Sequence, residues 1–264
     1  MLAGKLTYIV GTFDTKSEEL LFVRDLFYGP AMTSAHDDMR LYEAESPDDA
    51  TLKAVAALEL SRDDPLILCD ADEVILHFLD PVDNWFVEQG FERDRETARI
   101  TGSLKEASTG RVLDQSEVTA ALHHFFEFGM NTQPAVEGAL EGLGHLSDHA
   151  QVVILTKLPS RFQQTRIDHL AGLGFDYPVI ASDAPKGVLA KQLSVKAGRP
   201  TLFIDDLPPN HMSVAEHLPE SYRIQFVADR TINKIMPTLD VTHYRAQSWA
   251  DICDEARRVL DGKL

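Results

Sequence analysis

A set of short apolar runs constrains this chain more than any other feature. PLILC (65–69), QVVIL (151–155), YPVIA (177–181), PTLFI (200–204) and YRIQFV (222–227) are each too short for a helix and are set off by turn-forming or polar residues, as strands buried on both faces are. Between the later runs lie segments with helical spacing. Ser160 offers an N-cap to SRFQQTRIDHLAGLG, which Gly172 and Gly174 end, and KGVLAKQLSVKAG places Val188, Leu189, Leu193 and Val195 on one face before Gly198 closes it. Strands alternating with such helices predict an α/β fold, a doubly wound parallel sheet. Near the C-terminus Trp249, Ile252, Cys253, Ala256, Val259 and Leu260 recur at helical intervals, predicting an amphipathic helix whose expected task is packing.

The interval 81–132 interrupts this alternation. It holds an alternating stretch at 99–105, a Ser-Thr-Gly turn at 108–110 and a helix beginning near Ser116 with Phe125 and Phe126, and it reads as a small inserted subdomain. The expected organisation is therefore a core of 61–80 and 133–264, an insert of 81–132, and an N-terminal extension of 1–60 made of a strand, a helix and a further helix. Within the extension, LTYIVGTFDTKSEELLFVRDLF resembles the opening strand and helix of a bacterial family with an ATP-binding fold. Ser17 stands where that family has its second glycine, and the likeness does not continue.

Charge narrows the partners. With 42 acidic against 25 basic side chains the net charge is −17, which repels phosphate backbones and anionic lipid. Neither nucleic acid nor a membrane is an expected partner, and no apolar run is long enough to span a bilayer. An anionic small molecule needs local cations to be held against the same field. The 2 cysteines, Cys69 and Cys253, lie in apolar patterns and give no disulfide framework, consistent with a cytoplasmic protein. The 10 histidines are scattered, and His145 and His149 lack the intervening Glu of a zinc-protease motif, so they are read as ordinary helix residues.

The strand ends carry the chemistry. The first strand runs into Asp70 and Asp72, the second into Thr156 and Lys157, the fourth into Asp205 and Asp206, and Lys186 opens the helix after the third. In open α/β sheets functional groups gather at these carboxyl ends. Each residue alone reads as a cap, a turn or a solvated charge; their joint order is what singles them out. Two carboxylates two residues apart on one strand repel unless a cation or proton lies between them.

In this order the chain resembles the haloacid dehalogenase-like (HAD) superfamily, whose motifs are D-x-D after the first strand, Thr or Ser after the second, a later Lys, and an acidic pair after a further strand. The likeness runs from Pro65 to the C-terminus and places the insert where that superfamily has a cap. It implies Asp70 as nucleophile on phosphorus, Asp72 as acid/base, Thr156 as a phosphoryl-oxygen ligand and Lys186 as the neutralising cation. It further implies Mg²⁺ held by Asp70, Asp72, Asp205 and Asp206. A small phosphorylated substrate is expected, with Arg93, Arg95, Arg99, Lys105 and Arg111 of the insert as candidate contacts for a second anionic group. An Asp at 72 points to phosphate hydrolysis or transfer rather than carbon–halogen cleavage. Glu73 departs from the Gly common at that position and adds charge beside the site. Receiver domains use the same residue types but in another order, with the acidic pair first and the Lys last. A phosphomutase or a non-catalytic module on the same fold are the alternatives, a polar group near Asn210 or His211 is expected to cap a helix, and the oligomeric state is open.

Overall fold

The computed structural model describes residues 46–95, 97 and 100–262. The ATP-binding likeness lies outside these residues, as does Arg99. Six strands form one sheet: β1 (Leu66–Cys69), β4 (Gln151–Thr156), β5 (Val179–Ala181), β6 (Thr201–Asp205), β7 (Tyr222–Gln225) and β8 (Tyr244–Arg245), in the order β5-β4-β1-β6-β7-β8. Every neighbouring pair in it is parallel. The chain leaves β1 towards β4 and β5 on one side, then returns to β6, β7 and β8 on the other. The crevice at the end of β1 is thus the switch point of a doubly wound sheet, the expected fold.

Alternation along the strands divides the core into two layers. Ile67 and Cys69 of β1 join Ile154, Ile204 and Ile224 on one face, covered by α4 (Ala139–Ser147) and α9 (Trp249–Leu260). Leu66 and Leu68 join Val153, Leu155 and Phe203 on the other, covered by α1 (Asp49–Ala57), α6 (Lys186–Ser194) and α7 (Pro208–His217). The described part of the N-terminal extension therefore folds onto the core. Asp48 caps α1 by accepting from the Thr51 amide at 2.7 Å, Thr51 Oγ1 donates to Ala181 O at 2.8 Å, and Val55 is buried against the sheet.

Two local expectations change. Ser160 does not cap a helix: a 3₁₀ turn covers Ser160–Phe162 before α5 (Gln163–Gly172), and the Ser160 hydroxyl donates to Asp48 Oδ2 at 2.5 Å. The C-terminal helix does more than pack, because Trp249 Nε1 donates to Val74 O at 2.9 Å and so ties α9 to the loop after Asp72.

Between β1 and β4 the chain makes α2 (Leu79–Glu88), an antiparallel pair of β2 (Phe91–Arg93) and β3 (Leu104–Glu106), and α3 (Gln115–Phe128). Asp114 and Glu117 form a reciprocal capping box on α3. Val82, Phe86, Leu104, Val118, Phe125 and Phe126 give this segment an apolar centre, which meets Leu158, Phe162 and Ala181 of the core. α8 (Arg230–Ile235) follows β7. Among the described residues no helix is long and apolar enough to cross a membrane.

Candidate active site

Register brings the strand ends together. Cys69 is level with Ile154 and Ile204 in the adjoining strands, so Asp70, Thr156 and Asp205 emerge at one rim. Asp70 is anchored through its amide to Ile204 O at 2.9 Å. Lys186 reaches the rim from the first position of α6, and the close approach of α6 to α7 sets its position. A Cβ on Gly187 would lie 2.1 Å from Ser213 O, so only glycine allows this packing. The Lys186 ammonium, 1% exposed, sits 2.8 Å from Asp70 Oδ1 and 2.7 Å from Asp205 Oδ2.

Burial drives the electrostatics. The Asp70 carboxyl is pushed up to about 7 by burial, which Lys186 opposes, while Asp205 and then Asp72 add repulsion. Burial, then Asp205 and Asp70, push Asp206 well above the carboxylate range. Lys186 is held above its ordinary value because Asp205 and Asp70 outweigh the opposing effect of its own burial. Burial and Lys186 bring Lys157 down to about 8. A single ammonium bridging two of three crowded carboxylates leaves negative charge that a divalent cation would neutralise.

The donor set fits such a cation. Asp70, Asp205 and Asp206 each offer an oxygen, and these oxygens lie within 4.8 Å of one another. An all-oxygen carboxylate site suits a hard ion such as Mg²⁺. Asp205 is the fixed member, its Oδ1 accepting from the Leu207 amide at 2.9 Å and from Asn210 Nδ2 at 2.8 Å. Asn210, read from the sequence as a helix cap that could also contact the site, is thus a buried contact of Asp205.

Thr156 is 1% exposed, and its Oγ1 has no hydrogen-bond partner among the described residues. A buried hydroxyl without a partner costs roughly 1–3 kcal/mol, so its placement beside Asp70 is suited to a ligand oxygen.

Asp72, expected also among the metal ligands, has its side chain elsewhere. Oδ1 accepts from Gln133 Nε2 at 2.7 Å and from Arg166 Nη2 at 3.0 Å, and Oδ2 accepts from Arg166 Nη2 at 3.1 Å. Its carboxylate is absent from the metal-binding cluster because these two donors hold it. Nothing in the periodicity of α5 pointed to Arg166, and Gln133 falls in a loop; only the fold brings them to Asp72.

Glu73 also departs from expectation. Its φ is 57°, the left-handed region that favours glycine. The carboxylate caps the start of α2: Oε1 accepts from the Phe78 and Leu79 amides at 2.8 and 2.9 Å, and Oε2 accepts from the Asp229 amide at 2.7 Å. Of the candidate substrate cations at 81–132, Arg93, Arg95 and Arg111 have local partners. Arg93 makes a two-pronged bond to buried Asp83 at 2.5 and 2.8 Å, Arg95 lies 3.0 Å from the same carboxylate, and Arg111 pairs with Glu106 and Glu117.

The doubly wound parallel sheet, with its switch point at the end of β1, has the haloacid dehalogenase-like fold. Solved structures bear this out. A haloacid dehalogenase-like family hydrolase from Streptococcus pneumoniae superposes with a TM-score of 0.53 at 16% identity, over 73% of this chain and 98% of its own. A HAD hydrolase from Bacillus subtilis, solved bound to magnesium, gives 0.53 at 14% identity over 73% and 98%. A family IA HAD hydrolase from Entamoeba histolytica gives 0.50 at 13% identity over 77% and 99%. No family model matches the chain, and no curated protein matches it in sequence.

Proposed function

We propose that this chain is a Mg²⁺-dependent phosphatase that hydrolyses a small phosphorylated metabolite through an aspartyl phosphate on Asp70. The observation that carries the reading is the meeting, at one buried rim, of Asp70, the Lys186 ammonium 2.8 Å away and the unpartnered Thr156 hydroxyl. In this reading 81–132 is a cap over a core of 61–80 and 133–264, with 1–60 as an extension.

Asp70 attacks phosphorus, and the bond from phosphorus to the leaving oxygen breaks. That oxygen takes a proton from Asp72, which enters this step as the protonated acid and leaves it as the carboxylate, and departs as an alcohol. Water then attacks the aspartyl phosphate, gives its proton to Asp72 and frees inorganic phosphate with regeneration of the Asp70 carboxylate. Lys186 cancels charge between nucleophile and phosphate, and Thr156 donates to a phosphoryl oxygen. Asp70, Asp205 and Asp206 would hold Mg²⁺, which when bound would supply the remaining positive charge. Carbon–halogen cleavage has no use for an acid at 72, which favours phosphate chemistry.

The test is phosphate release from para-nitrophenyl phosphate. Release with Mg²⁺ that EDTA abolishes is expected. Release that persists unchanged in EDTA would refute the metal requirement, and none from a broad phosphoester panel would refute the activity.

A further inference from the structure

Arg166 is completely buried, with 0% of its side chain exposed, and Asp72 is its ion-pair partner. Nη2 binds both Asp72 oxygens, while Nε and Nη1 have no hydrogen-bond partner among the described residues. A buried guanidinium loses several kcal/mol of hydration, and an apolar side chain of similar size is often at least as stabilising. Packing of α5 therefore does not explain an arginine here; its bond to Asp72 does.

The pattern of bonds also distinguishes the two Asp72 oxygens. Oδ1 accepts from both Gln133 and Arg166, which occupies its two lone pairs, whereas Oδ2 accepts from Arg166 alone. The Gln133 side chain also donates to His77 O at 3.1 Å, and the Gln133 backbone carbonyl accepts from His169 Nε2 at 3.0 Å. His169 lies one helical turn beyond Arg166, so both ends of this brace are fixed to α5. The Asp72 side chain keeps 19% exposure, which leaves it an open side.

We propose that Arg166 is the positioning residue of Asp72: with Gln133 it holds the carboxylate so that Oδ2 is the oxygen that delivers and recovers the proton. This rests on the phosphatase reading above. General acid catalysis requires the donor within hydrogen-bond reach of the leaving oxygen, and a carboxylate released from Arg166 would turn about its side-chain bonds. Loss of Arg166 should therefore harm esters whose leaving group needs a proton and spare those whose leaving group does not.

The experiment compares para-nitrophenyl phosphate, whose leaving group departs readily without a proton, with para-methoxyphenyl phosphate, which is of similar size but needs one. Wild type, Asp72→Asn, Arg166→Met and the double variant are assayed for kcat/KM, with circular dichroism to verify folding. Arg166→Met is expected to widen the nitrophenyl-to-methoxyphenyl ratio by about tenfold or more, as Asp72→Asn does, and to add no further widening in the Asp72→Asn background. An equal loss on both esters would mark Arg166 as merely structural and overturn the proposal, as would additive effects in the double variant. If Arg166→Met does not fold, Arg166→Lys carries the same test: it keeps the charge but cannot hold both oxygens in the same geometry, and an unchanged ratio overturns the proposal. A wild type with no release from either ester, or an Asp72→Asn variant with an unchanged ratio, would instead overturn the catalytic reading on which the proposal rests.

Discussion

Thr156 shows how far a single residue departs from what stability alone would select. Its hydroxyl is buried without a partner among the described residues, so replacing it by an apolar group of the same shape removes a desolvation cost. Thr156→Val should leave the unfolding free energy unchanged or raise it by about 1 kcal/mol, while kcat/KM for a phosphoester falls about tenfold or more. Denaturant titration and steady-state kinetics on the same preparation check both halves, and a variant that loses stability and keeps its activity would contradict the assignment. Asp70, Asp72, Thr156, Asp205 and Asp206 were legible as candidates because they stand at or just beyond the ends of apolar runs, and Lys186 because it opens the next helix; only their joint order set them apart from caps and turns. The Asp72 partners were not legible. Arg166 and Gln133 lie far along the chain, and neither interrupts a periodic pattern in a way that marks it.

Among the elements, the passage from β1 into α2 bears most directly on the site. Glu73 takes a left-handed backbone conformation that disfavours a side chain, and its carboxylate satisfies amides at the start of α2 and at Asp229. These effects oppose each other, and their magnitudes decide the sign. Hydrogen bonds to a charged group contribute about 1.5–3 kcal/mol, against about 1–2 kcal/mol for a left-handed side chain. Glu73→Ala keeps the strain and loses the bonds, so it should destabilise by about 2–3 kcal/mol. Glu73→Gly, which also relieves the strain, should lose about 1 kcal/mol less. Denaturant midpoints check the order, and a glycine variant less stable than the alanine one would contradict it. The departure from glycine was visible in the sequence, but the direction of the side chain was not, because its partners are backbone amides of two separate segments. The same limit applies to Ser160, whose helix-cap composition gave way to a 3₁₀ turn and a bond to Asp48.

For the whole molecule, the buried rim ties stability to pH. His211 is completely buried beneath the site, its Nε2–H donating to Asp205 O at 3.1 Å, and burial lowers its pKa from 6.5 to about 4. The unfolded chain binds this proton more tightly than the folded one. The resulting stability is present in full above about pH 6.5 and is lost as pH falls towards 4, amounting to about 3 kcal/mol for this residue. Urea denaturation from pH 7 to pH 4.5 should show a steeper loss for the wild type than for His211→Gln, and parallel curves would contradict the prediction. The parallel α/β sheet was readable from the alternation of apolar runs with helical segments, since burial on both faces of such a sheet leaves that pattern; its strand order was not. The two-layer core and the link from Trp249 to Val74 depend on contacts between distant segments and emerge only in three dimensions. Every step of the proposed hydrolysis depends on Asp70 as the nucleophile. Quenching a reaction with Mg²⁺ and para-nitrophenyl phosphate into borohydride reduces an aspartyl phosphate to homoserine, which peptide mass spectrometry locates. Homoserine at position 70, absent when EDTA is present, is the predicted result; steady turnover with Asp70 unmodified, or turnover retained in Asp70→Asn, would contradict it.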